Sequence, residues 1–113
     1  MKTIWKYVID ALFTTVLQVP IGAKPLYVGK QISDRQCEMP YIWFLVDSEA
    51  KKVDTKIWIV DTGQSIERIT QCGSITHEMY VGTVQMRNGL VWHVFAEDTG
   101  NSRFDRSYAR QSD

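Results

Sequence analysis

The chain carries no surplus charge of either sign, with thirteen lysines and arginines against thirteen aspartates and glutamates. No global field draws it toward nucleic acid or an anionic membrane, so any such binding needs a local patch. Cysteine is scarce. Cys37 and Cys72 are too few for a disulfide scaffold and read as free thiols of a reducing cytoplasm. No uninterrupted apolar run reaches the roughly 18 residues of a membrane span, so no membrane partner is expected. Lys2 and Lys6 ahead of the uncharged run 11–23 imitate a secretory leader, but Asp10 interrupts the stretch that a leader keeps apolar. The glycines never gather into a phosphate-binding loop. Cys37, Cys72, His77 and His93 lack the paired spacing of a zinc site, so neither metal nor cofactor is expected.

Bulk is what the sequence has. Its 113 residues are 44% hydrophobic and 12% aromatic, with four tryptophans, which suits one domain around a single modest core. Short apolar or alternating segments bounded by turn residues are the strand signature. Strands are expected at 3–9, 14–19, 25–31, 41–46 and 53–60. Pro25 falls at the start of its strand, where a missing N–H does least harm. The run "YIWFLV" (41–46) is apolar at six consecutive positions, which predicts a central strand buried on both faces, with Trp43 in the core. The segment "QSIERIT" (64–70) is ambiguous between a short helix and an irregular strand.

The sequence "VQMRNGLVWHVF" (84–95) predicts a hairpin. If Asn88-Gly89 forms a two-residue loop, Met86 faces Val91, Val84 faces His93 and Gly82 faces Phe95 on one side. Gln85 with Trp92, and Thr83 with Val94, then share the other. On that pairing His93 lies on the more apolar face, as a partly buried imidazole bonded to one partner. Trp92 instead shares a mixed face with Thr83, Gln85 and Arg87, which suits an interface. Beyond Ala96 the chain becomes polar. The expected organisation is a β domain over 1–96 and a tail over 97–113, either flexible or docking on a partner. Phe104 and Tyr108, spaced i, i+4, would let a short helix in that tail present two aromatics for binding.

"IWIVDTGQS" is the most enzyme-like stretch. An apolar strand running into Asp-Thr-Gly is the aspartic-protease pattern, and a second Asp-Thr-Gly begins at Asp98. That chemistry needs two carboxylates sharing a proton. The tripeptides are too close in sequence for each to head its own lobe, and Asp-Thr-Gly is also a good turn. Asp61 is therefore read as a turn residue, with an Asp61 peptidase as the alternative. A second alternative is a single-strand nucleic-acid binder using Trp5 and the arginine-bearing tail.

The blocks "TIWKY", "VPIGAKPLYV", "IWFLVD", "IWIVDTGQSI" and "YVGTVQMRNGLVWHVF", in this order, resemble a family of short uncharacterised bacteriophage and prophage proteins. The likeness runs from Thr3 to Phe95. It implies a phage accessory protein in the bacterial cytosol, and it brings no catalytic residues with it. The expectation is an all-β sandwich or partly open barrel of about seven strands, its final hairpin paired with a central element and homodimerisation possible. Its expected role is non-catalytic, stoichiometric inhibition of a bacterial host protein or defence complex. Sequestration of a small nucleotide-like signal ligand is the variant of that role, and nucleic acid is the less expected partner.

Overall fold

The computed structural model describes residues 1–10, 14–32, 37–66 and 75–100. Cys72, the expected tail helix through Phe104 and Tyr108, and the second half of "QSIERIT" lie outside them. The described residues form seven strands: β1 (Lys2–Val8), β2 (Thr14–Pro20), β3 (Lys24–Ile32), β4 (Glu38–Asp47), β5 (Lys52–Asp61), β6 (Tyr80–Gln85) and β7 (Val91–Ala96). They make two antiparallel sheets, a three-stranded one in the order β1-β4-β3 and a four-stranded one in the order β2-β5-β7-β6. The result is a small all-β fold with no closed barrel.

Turn chemistry places the changes of direction. Ala23 donates to the Pro20 carbonyl at 3.0 Å around Gly22, whose φ of 85° only glycine adopts without strain. That turn carries the chain from the second sheet to the first. β3 is an edge strand, the kind of strand that tolerates a proline such as Pro25. A bulge between Pro25 and Tyr27 shifts its register against β4.

The core lies between the sheets. Val28, Ile42, Phe44 and Val46 come from the first, and Val19, Ile57, Ile59, Val84, Met86, Val94 and Ala96 from the second. Trp5, Tyr7, Leu17, Val81 and Trp92 pack against this cluster. Tyr7 meets Phe44 edge-on at 5.7 Å and its hydroxyl donates to the Gln18 carbonyl across the sheets. The packing continues past Ala96. Glu97 bonds both backbone groups of Lys56, and the buried Thr99 hydroxyl donates to the Ala23 carbonyl at 3.0 Å.

Two expectations are corrected here. β4 is central, but only Pro40, Ile42, Phe44 and Val46 are buried, while Tyr41, Trp43 and Leu45 are half-buried on the opposite side. The strand buried on both faces is β5, where Ile57, Trp58, Ile59 and Val60 are all buried. Inside the larger sheet β5 lies between β2 and β7, and its outward Trp58 and Val60 are buried along with its core-facing Ile57 and Ile59.

The second correction concerns the last hairpin. Met86 N–H donates to the Leu90 carbonyl and Gly89 N–H to the Met86 carbonyl, so the loop has three residues, Arg87 to Gly89, with Gly89 at φ 93°. The pairs become Gln85 with Val91, Val84 with Trp92, Thr83 with His93 and Gly82 with Val94. A one-residue slip sends every side chain to the other face. Trp92 therefore belongs to the core side, and His93 points outward beside Thr83.

Candidate functional site

The side of the three-stranded sheet turned away from the core is built by the strand period of two. Along β4 the even positions Ile42, Phe44 and Val46 point inward, which leaves Tyr41, Trp43 and Leu45 outward. Register then sets their neighbours. Ile4, Leu45 and Lys24 form one row, Lys6, Trp43 and Tyr27 the next, and Val8, Tyr41 and Gly29 a third. Ile4 is 56% exposed and Tyr27 62% exposed, so this is an open, aromatic surface.

Its aromatics touch one another. Tyr27 and Trp43 have ring centroids 5.6 Å apart at 49°, and Tyr41 and Trp43 lie 6.2 Å apart at 48°. Gly29 makes room for the Tyr27 ring. A Cβ at residue 29 would stand 2.8 Å from Tyr27 Cε2, so the missing side chain lets the ring lie along the sheet. Lys6 reaches over the same surface, its ammonium 4.8 Å from the Tyr41 ring centroid and donating to Gln31 Oε1 at 2.7 Å.

The carboxylates at the ends of β4 are engaged. Asp47 accepts from the Glu49 N–H and from the N-terminal ammonium at 3.2 Å; the first contact above all holds its pKa below the ordinary value. Glu38 accepts the Arg87 N–H at 2.6 Å and pairs with Lys30 at 3.1 Å. The Arg87 contact is the main cause of its lowered pKa, with burial opposing.

The expected binding group does not come together. Thr83 and Gln85 are exposed on the outer side of the second sheet and Arg87 is exposed at the hairpin tip. Trp92 is separated from them, half-buried against the core. Trp5, the aromatic named for nucleic-acid binding, also faces inward, with Lys52 Nζ 5.5 Å above its ring.

His93 closes a chain of hydroxyls. Its Nδ1 is 3.0 Å from Thr83 Oγ1 and its Nε2 is 2.8 Å from Thr62 Oγ1, and the Tyr80 hydroxyl bonds Thr83 in turn. Hydroxyls donate or accept as required, so both ring nitrogens are satisfied in either tautomer. The arrangement ties the turn after β5 onto β7.

That turn is the first Asp-Thr-Gly. Gln64 N–H donates to the Asp61 carbonyl at 3.0 Å, Asp61 N–H donates to Gln64 Oε1, and Gly63 has φ 87°. At the second, Gly100 N–H donates to Asp98 Oδ1 at 2.9 Å. Asp61 faces Trp92 at one end of the β5–β7 ladder, whereas Asp98 follows Ala96, which faces Ile57 at the other. Four residue steps, roughly 13 Å of strand, keep the two carboxylates of one chain from sharing a proton.

The aromatic surface was missed in the sequence because "YIWFLV" offers no polar residue to mark an outward side. Its usable signal was the alternation of Tyr, Trp and Leu with Ile, Phe and Val, together with Gly29 two places after Tyr27. No curated protein and no solved structure matches the chain. The profile of a family described as a domain of unknown function matches residues 1–104, and the chain belongs to that family, DUF7352.

Proposed function

We propose that this protein is a non-catalytic binding protein whose contact surface is the outer face of the three-stranded sheet. The observation that carries the reading is the row Lys6, Trp43 and Tyr27 with its flanking Ile4, Leu45 and Tyr41, an aromatic surface open over the middle of a sheet. Tryptophan and tyrosine contribute much of the energy at binding surfaces, because they bury large area at small entropic cost. The engagement of His93 by two threonines and the separation of Asp61 from Asp98 support a binding role over a catalytic one. The likeness of the blocks from "TIWKY" to "VQMRNGLVWHVF" to phage proteins supports a setting inside a bacterium. There the protein acts stoichiometrically on a host component.

The test is to express the chain in a bacterial host and recover what stays bound, beside Tyr27→Ser and Gln85→Ala. Gln85 is exposed on the other sheet and serves as the control. The expected outcome is a component recovered in a fixed molar ratio, lost with Tyr27→Ser and kept with Gln85→Ala. Equal recovery by all three would overturn the reading.

A further inference from the structure

Charge is balanced over the whole chain but not over this face. Lys24 and Lys6 stand in its first two rows, and no described carboxylate occupies the rows from Ile4 to Tyr41. Asp47 lies one row beyond and is held by the N-terminal ammonium, and at the other end Asp10 follows Val8 beyond the last row. Lys6 gives one hydrogen bond to Gln31, and an ammonium has three to give. Cationic side chains thus flank the exposed Tyr27 ring and the half-buried Trp43 beside it, a combination that suits a ligand with flat apolar parts joined by anions.

We infer that the occupant of this face is a single-stranded nucleic acid, two unpaired bases stacking on Tyr27 and Trp43 while Lys24 and Lys6 meet the phosphates between them. The inference rests on the binding reading above and names its partner. Stacking needs a base whose face is free, which a duplex does not offer, and it tolerates any base because each has a π-face. A protein partner fits less well, since lysine is depleted from the centres of protein interfaces. A second copy of the chain laid face to face would set these lysines against one another. Gly29 acts as a positioning residue, because it lets the Tyr27 ring lie along the sheet.

The experiment uses the full chain and a fluorescein-labelled oligo(dT), with anisotropy read across a salt series. Equal-length duplex DNA, inorganic polyphosphate and dTMP are the competing arms. Binding is expected at low salt, with duplex and polyphosphate much weaker and dTMP unable to displace the oligomer at equal nucleotide concentration. Tyr27→Ala should weaken it at least about fivefold. Lys6→Ala and Lys24→Ala should each flatten the plot of log K against log salt by about 0.7. Trp43→Phe shrinks one of the two stacking faces, so affinity should fall and the quenching of tryptophan fluorescence by the oligomer should largely disappear. Three results would overturn the inference: no binding at low salt, equal binding of polyphosphate, or indifference to Tyr27→Ala. If oligo(dT) fails while Tyr27→Ser still loses a host protein, or dissociates a dimer, the binding reading survives without this partner. If Tyr27→Ser loses nothing at all, both fall.

Discussion

Val28 occupies the space that a side chain on Gly82 would need. A Cβ at residue 82 would stand 2.7 Å from Val28 Cγ2, and Val28 is buried where β3 of one sheet meets β6 of the other. Glycine here sets the distance between the sheets. The neighbour is a stiff β-branched residue inside the core, so it cannot swing aside.

Gly82→Ala is therefore expected to destabilise the fold by roughly 1–3 kcal/mol, the usual cost of overpacking. Adding Val28→Ala should recover part of that loss. A double-mutant cycle by urea denaturation checks both, and strictly additive effects would show that the two residues do not compete for one space.

Gly89 presents the opposite case, a glycine with open space around it and φ 93°. Gly89→Ala should cost about 1–2 kcal/mol through backbone conformation alone. D-alanine, introduced by chemical ligation, should cost nothing. Equal destabilisation by both enantiomers would place the cost in packing instead.

Glu38 links the sheets through the Arg87 N–H, and its lowered pKa gives that link a pH dependence. The folded state binds the proton less readily than the unfolded one, so the stabilisation is full above the unfolded pKa and is lost as pH falls through the folded one. Denaturation midpoints of wild type and Glu38→Gln should differ most near pH 6 and converge as pH drops below the ordinary glutamate range, around pH 4. A gap that stays constant down the series would remove the carboxylate from the account.

His93→Ala should loosen the Asp61–Gln64 turn. Two hydrogen bonds are lost, each with a net worth of about 1 kcal/mol before discounting for partial exposure. Amide exchange at Gln64 would report it, with Tyr27 and Trp43 unaffected on the other sheet. Asp61→Asn should change neither stability nor binding, since the turn is built from Asp61 backbone atoms. Peptide hydrolysis by the wild type that disappears in Asp61→Asn would restore the peptidase reading.

Strand positions were legible because β-branched and aromatic runs broken by Pro, Gly and Asp report local preference. The Gly22 and Gly63 turns and the marginal place of Pro25 followed from the same residue chemistry. The site was not legible, and the hairpin shows why. Asn88-Gly89 fits a two-residue loop or a three-residue loop ending in Gly89, and the two differ by one residue of register. That one residue decided whether Trp92 or His93 met the core. The core around Val84 and Val94 takes Trp92, since burying the larger apolar ring there gains more than burying an imidazole.

By itself the sequence determined the class of the fold, where its strands run along the chain and where most of them turn, all of which rest on interactions between near neighbours in the chain. Only the tertiary structure decided which side of each strand is covered. β4 and β5 read alike as apolar runs, yet β5 is closed on both faces inside the larger sheet, and β4 is left with Tyr41, Trp43 and Leu45 toward solvent. Burial depends on what packs above a strand, and in β4 only the alternation of Tyr, Trp and Leu with Ile, Phe and Val points to it. The lysines follow the same rule: neutral as a total, they acquire a direction only when register sets Lys6 and Lys24 on the open face beside Trp43 and Tyr27.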